Sequence, residues 1–595
     1  MNTKALKISA AFFATVFVFG CHKEVSNSTV ANPEIKKPAI QLPSATNPFS
    51  LRNVEKAKKN LAKQNDAPIS KNLASSASLQ TDDLPQYVYF KFNPNEITTE
   101  EFQALENDST VKLLDFPFAN AGLYNEDFAL DENKKEQLTD GNIYGVTSID
   151  NASSLNLVKN SITLQTEFLD TLALIPQEDT ALQRQSFLAA GYTDETIDRL
   201  FGICLLKRPH GYVRYYDDEF KDLEPVRGMQ VWGLVFGIPV ATYTDGNGYY
   251  NFPWRFSAGT IMGTHAKNSR VNIKPFNTMG GFFRVMGQLI TNFIVGSVHV
   301  KGWVSSCDMR SDVNFDFYDH KQDKYWSQIL NAYYFHDQYA AQSGILNAPK
   351  YMVCYAHWAD AEGFGSASTP MLYHLTGGAF VDEIIQNIFG NPVSGTLSRL
   401  IHGLVPDMTF RVCGGTPPPY YNARLAQTAF HELGHASMFR AVGPLWYLDV
   451  DLAERTHVYG SPGYDNWGKV QVAESWAEFI GTENALRRYP NGVKHSTMLG
   501  LVKFADALEK EDWFAEESKW IPNGVYFDLI DNTNAIPDEN NWDNVGGSKI
   551  QELYNIFYSK PINMCHYRWL FTNSYPQYNQ LAVSYLFNHY NLSCD

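Results

Sequence analysis

The chain has 595 residues, long enough for several domains at roughly 100–200 residues each and for full cores without covalent staples. With 44% hydrophobic and 19% charged residues, most of it is globular rather than disordered. A formal net charge of −16, from 48 basic and 64 acidic residues, argues against nucleic acid as a partner, because a phosphate backbone calls for a basic surface.

The chain opens MNTKALKISAAFFATVFVFGC. Lys4 and Lys7 precede an apolar run from Ile8 to Phe19. That run is too short for a membrane-spanning helix, which needs about 20 residues, and has the length of a signal-peptide core. Its end, Val18-Phe19-Gly20-Cys21, resembles a bacterial lipoprotein lipobox, which implies residues 1–21 as a signal and Cys21 as the lipidated residue. An ordinary secretory signal cleaved nearby is the alternative. Either reading implies export, and the lipobox implies a lipid-anchored location in the cell envelope, at the outer membrane or cell surface. Seven Cys are too few for a disulfide scaffold, but the six besides Cys21 make an even set suited to an oxidising compartment. They are Cys204, Cys307, Cys354, Cys413, Cys565 and Cys594. Cys565–Cys594 is the expected pair, pinning the C-terminal helices; Cys354 and Cys413 are expected to join neighbouring strands.

Residues 22–85, rich in Ser, Asn, Pro, Lys and Ala, read as a tether, with room for a short helix over residues 51–64. Residues 86–205 read as a small mixed α/β region that begins with the alternating strand YVYFKF. Over 220–276, short alternating runs broken by Gly, Pro, Asp-Gly and Asn-Gly predict β-hairpins. Gly233, the turn Gly237-Ile238-Pro239 and Thr244-Asp245-Gly246-Asn247-Gly248-Tyr249 resemble the carboxypeptidase-regulatory-like β-sandwich, which implies a spacer or docking module. Residues 306–595 read as one larger unit. There Trp326, Ile329, Leu330, Tyr333, Phe335 and Tyr339 stand at helical spacing, and PKYMVCYAHW and DMTFRVCG read as strands. The fold class is α+β and multidomain.

The sharpest chemical signal is TAFHELGHASMFRAVG. His431, Glu432 and His435 form H-E-x-x-H on a predicted helix over 423–442, capped by Asn422 and ended by Gly443-Pro444. Residues four apart share a helix face, so the two imidazoles can bind one Zn2+. Glu432 stands beside them, placed to act as general base on a water at the metal. The extension H-x-x-G-x-x-H is absent after His435, so a third ligand must come from another element. In QVAESWAEFIG, Glu474 and Glu478 share one helix face: one can bind metal while the other holds a ligand imidazole.

H-E-x-x-H followed at a distance by E-x-x-A-E resembles the gluzincin metallopeptidases, such as thermolysin and anthrax lethal factor. The resemblance is specific over residues 428–440 and 472–480. It implies a zincin-like metallopeptidase domain, with an N-terminal lobe running to about residue 445 and a helical C-terminal lobe after it. It assigns Glu474 as the third ligand and Glu478 as the support of a ligand His. It makes the strand DMTFRV the edge onto which an extended peptide adds. It also calls for a Tyr or His that stabilises the oxyanion; Tyr464 is the candidate, with Tyr459 and His457 as competitors. Asp528 and Asp531 are expected to pack or cap turns.

The expected function is therefore a surface-anchored zinc metallopeptidase, an endopeptidase acting on protein substrates. Its rivals are a glycopeptidase acting on mucin-type glycoproteins and a non-catalytic surface binding protein with a structural zinc site. No G-x-S-x-G elbow, phosphate loop or dinucleotide fingerprint offers another chemistry.

Overall fold

The computed structural model describes residues 47–65, 84–92, 111–114, 142–150, 167–173, 179–201, 207–235, 238–253, 260–274, 298–304, 308–318, 322–359, 366–375, 406–413, 422–456, 462–496, 500–504, 520–522, 524–531 and 545–590, with a few single residues besides. These carry both helices and sheets, so the fold class is α+β. Cys21, Cys204, Cys307, His457 and Tyr459 lie outside the described residues.

Helix α1 (Leu51–Asn65) falls inside the span whose composition reads as tether, yet it is packed. Val54, Ala57 and Leu61 recur three and four apart and are buried against later elements of the N-terminal region. Those elements are the strands β1 (Gln86–Phe92), β2 (Lys112–Leu114), β3 (Ile143–Ser148) and β4 (Glu167–Ala173), then α2 (Thr180–Ala189) and α3 (Asp194–Phe201). The strands form an antiparallel sheet in the order β2-β3-β1-β4. In β1 the buried side chains are Val88, Phe90 and Phe92, the alternation expected of YVYFKF. Helix α1 lies on α2 and β4, so part of the low-complexity stretch completes this core.

The middle of the chain supplies β5 (His210–Asp217), β6 (Asp222–Pro225), β7 (Gln230–Val235), β8 (Ile238–Tyr243), β9 (Tyr249–Asn251), β10 (Thr260–His265), β11 (Val271–Lys274), β12 (Val298–Val304) and β13 (Phe315–Phe317). One sheet runs β12-β10-β7-β8, another β13-β5-β6 with β9 also paired to β5. The turn at Asp245 closes as its residue types require. Asp245 Oδ1 accepts from the backbone N–H of Asn247 at 2.8 Å and of Tyr249 at 3.0 Å. Gly248 has φ +72°, and a Cβ there would meet the Val213 carbonyl oxygen at 2.8 Å. The strands of the 220–276 span do not stay together: β11 leaves to pair with a strand of the C-terminal unit, while β12 and β13 join the two middle sheets.

The C-terminal unit contains α4 (Gln322–Ser343), β14 (Met352–Ala359), β15 (Ser366–Ser368), α5 (Leu372–Leu375), β16 (Met408–Cys413), α6 (Asn422–Val442), α7 (Pro444–Thr456), α8 (Trp467–Arg488), the hairpin β17 (Val493–Ser496) and β18 (Gly500–Lys503), and then α9 (Val525–Asp528), α10 (Ile550–Asn555), α11 (Met564–Ser574) and α12 (Gln580–His589). Its sheet runs β11-β14-β16-β15. The first three strands are parallel and β15 is antiparallel to β16. DMTFRV (β16) is thus an interior strand and not the edge expected of it; β15 is the edge strand beside it. Trp326, Ile329, Leu330 and Tyr333 of α4 are buried, as their spacing implies.

Cys565 and Cys594 form a disulfide that ties the start of α11 to the chain end. The expected Cys354–Cys413 bridge does not form. The strands are neighbours, but Cys354 pairs in register with Met408 and Cys413 with Ala359. Five positions at about 3.3 Å each separate the two Cys, far beyond disulfide reach. Cys354 is a buried free thiol whose pKa burial pushes well up.

Candidate metal centre

Helix α6 carries the histidines. It is buried almost all round, and Gly443 ends it with φ +80° and an N–H donated to the Phe439 carbonyl at 2.9 Å. Helix α8 packs across it. Two glycines set how close they come. A Cβ on Gly434 would stand 3.2 Å from Ala477 Cα; one on Gly481 would stand 2.9 Å from both Cα and Cβ of His431. Any side chain at 481 would strike the backbone of His431.

This close crossing brings His431, His435 and Glu474 together. His431 Nε2 lies 3.2 Å from His435 Nε2 and 3.5 Å from Glu474 Oε2; His435 Nε2 lies 3.3 Å from Glu474 Oε1. A tetrahedral zinc with ligand bonds of roughly 2.0–2.2 Å spaces its donors about 3.3–3.5 Å apart. The two imidazoles face different oxygens of Glu474, and one oxygen from that carboxylate with the two ring nitrogens makes a donor set of the kind and approximate spacing that a zinc ion takes. Glu478 Oε2 lies 3.4 Å from His431 Nδ1, the nitrogen that faces away from the group. Thr482 donates to Glu478 Oε1 at 3.0 Å. Nδ1 of His435 is buried without a partner among the described residues.

The electrostatics follow from crowding acids and bases in a dry place. Burial lowers the His431 pKa, but Glu474 and Glu478 outweigh it and hold the imidazole well above its usual value. Burial raises the Glu474 pKa, but His435 and His431 outweigh it and hold the carboxyl well below the usual range. A cation bound here displaces the proton that this pairing retains. Burial raises the Glu432 pKa, against the pull of both histidines and Thr369.

Glu432 is almost fully buried. Thr369 Oγ1 stands 2.7 Å from its Oε2 and 3.1 Å from its carbonyl oxygen. Thr369 follows the edge strand β15 directly, and β15 touches α6. Tyr447 of α7, fully buried and kept protonated first by that burial and then by nearby carboxylates, donates to the Thr369 carbonyl at 2.8 Å.

Comparison of the chain with protein-family models, curated proteins and solved structures gave no match in any of the three.

Of the residues expected to carry function, His431, His435, Glu474 and Glu478 converge, with Glu432 beside them. Tyr464 is half-exposed on the approach to α8, and about 10 Å of helix separates the start of α8 from Glu474. Asp528 is buried and accepts from Tyr590 OH at 2.6 Å, a packing role. Thr369, Tyr447 and Gly481 were not singled out by sequence. Only Gly481 left a signal there, a glycine inside a helical pattern, which points to close packing.

Proposed function

We propose that the chain is a zinc-dependent metallopeptidase of zincin-like architecture, carried to the cell envelope by a lipid on Cys21. The observation that carries this reading is the spacing of the three donors on His431, His435 and Glu474, with a buried carboxylate, Glu432, one residue along from the first ligand. A structural zinc site has no use for that carboxylate. Further support comes from the antiparallel edge strand β15, which has no second strand partner among the described residues and lies against the motif helix. An extended peptide can add there through main-chain hydrogen bonds and lie across the site.

In this reading His431, His435 and Glu474 hold the metal, and Glu478 orients His431 through Nδ1. Zinc so held lends Lewis acidity toward a carbonyl and acidifies water. Glu432 takes a proton from the attacking water and returns it to the leaving amine. Attachment through Cys21 rests on the lipobox sequence; among the described residues no helix is long and apolar enough to cross a membrane.

An ordered mutant series tests the assignment. Glu432→Gln keeps about one zinc per chain and loses about 10²–10⁴-fold in peptide hydrolysis. Glu474→Ala loses both zinc and activity. Glu478→Ala loses about 10–100-fold in zinc affinity or activity. Zinc analysis with casein and mucin digestion reads all three. Wild-type protein that holds zinc and cleaves neither substrate defeats the peptidase reading. A Glu474→Ala chain that still binds zinc tightly moves the third ligand elsewhere.

A further inference from the structure

Resting on the peptidase reading, we propose that Thr369 is the positioning residue for the Glu432 carboxylate, coupling the peptide-binding edge strand to the base. Both side chains are buried, with 7% and 5% of their surface exposed, so water does not compete for the contact. Thr369 Oγ1 approaches two oxygens of Glu432, the carboxylate Oε2 at 2.7 Å and the main-chain carbonyl at 3.1 Å. A hydroxyl has one proton to give. It goes to the shorter contact and the charged acceptor, where a hydrogen bond is roughly twice as strong as between neutral groups. Among the described residues this is the only hydrogen bond to the Glu432 carboxylate, so Oε2 is held and Oε1 is left to meet water.

The donor is itself fixed from two sides. Its backbone continues β15, whose register on β16 ends at Ser368 opposite Thr409, with the two hydroxyls 2.8 Å apart. Its carbonyl accepts from Tyr447 OH at 2.8 Å, and Tyr447 packs edge-on against Phe439 of α6 at 5.5 Å. A base must stand within hydrogen-bond reach of its proton, and a misplacement of about 1 Å costs about a hundredfold in rate. Thr369 supplies that constraint from an element about 60 residues away in sequence.

The test uses the full chain. Thr369→Val keeps the shape and removes the hydroxyl. It should lower kcat about 10–100-fold, the usual effect of losing a supporting contact, with KM changed less than about twofold and zinc content unchanged. Thr369→Ser restores the hydroxyl and should recover kcat to within about threefold of wild type. A second readout needs neither metal nor activity: the melting temperatures of the zinc-free chain in a double-mutant cycle. Thr369→Val should lower Tm more in the wild-type background than in a Glu432→Leu background, where only the main-chain carbonyl at 3.1 Å remains as an acceptor. Additive Tm losses overturn the proposal, as does a Thr369→Val enzyme with wild-type kcat, or a Thr369→Ser enzyme as slow as Thr369→Val. A wild-type chain that binds zinc without cleaving peptide defeats the peptidase reading alone; the melting cycle then still decides whether Thr369 holds Glu432.

Discussion

His431 and His435 share a helix face but not an environment. His431 has Glu478 behind it, whereas the outer nitrogen of His435 is buried with no partner among the described residues, so on that side only packing holds the ring. Glu478 is therefore the hydrogen-bonding support seen for the ligand pair, and its loss should be felt in metal affinity before fold stability. A third histidine behaves differently again. His336 in α4 is fully buried, neither ring nitrogen has a partner among the described residues, and burial, with Arg270 nearby, pushes its pKa down to about 3. The folded chain holds this ring neutral, while the unfolded chain protonates it near its ordinary value of about 6.5. Its contribution to stability is complete above that value and is lost as pH falls toward 3, by about 1.4 kcal/mol per pH unit. Between pH 7 and pH 5, His336→Leu should lose about 2 kcal/mol less than wild type in urea unfolding. Equal losses in the two proteins would show that the ring is protonated in the folded state.

At the scale of elements, the site is the product of one helix crossing. His431 and His435 on α6 meet Glu474 and Glu478 on α8 because Gly434 and Gly481 let the two helices close. Gly481→Ala adds one methyl group where the His431 backbone already stands at 2.9 Å. Overpacking of this kind costs about 1–3 kcal/mol. The expected outcome is a lower Tm together with weaker zinc binding by isothermal titration, since Glu474 rides on the displaced helix. A Gly481→Ala chain with wild-type zinc affinity would show that the crossing is not what sets the ligand spacing. The edge strand is legible only at this scale as well. SAS (Ser366–Ser368) is three residues long, too short for alternation to mark it, whereas DMTFRV carries the β-branched and aromatic residues of a strand. Composition thus finds the interior strand and misses the edge.

Across the whole molecule, the units are interlocked. Lys324 of α4 meets Asp218 at 2.8 Å, Arg488 at the end of α8 pairs with Glu224, and Tyr489 OH donates to Asp217 at 2.8 Å. These contacts fasten the β5–β6 hairpin to the two long helices of the C-terminal unit. At the other end, the Cys565–Cys594 disulfide spans 29 residues of sequence. Chain-entropy arithmetic assigns a loop of that size roughly 3–4 kcal/mol. Cys565→Ser with Cys594→Ser should lower unfolding free energy on that scale in denaturant melts while leaving zinc content intact, since no ligand lies in the closed loop. Loss of zinc in that double mutant would mean that the C-terminal helices brace the site.

Local chemistry was enough for everything that depends on neighbours along the chain. The α6 helix, the one-face placement of His431 with His435 and of Glu474 with Glu478, the strand alternation of YVYFKF and the turn at Asp245 all follow from 3.6- and 2-residue periods and from what Asp and Gly do in turns. The Cys565–Cys594 pair was also expected, because both Cys lie in the last helical segments. The placing of Glu474 beside the histidines was expected only through the resemblance. Other relations between segments far apart in sequence required the tertiary structure: the hold of Thr369 on Glu432, the departure of β11 to another sheet, the order that makes β15 the edge, and the register that keeps Cys354 from Cys413. The physical reason is common to them all. Periodicity tells a side chain which face of its own element it occupies, but which element covers that face is decided by packing, as at Gly481, where the lack of a side chain lets one helix close on the backbone of His431.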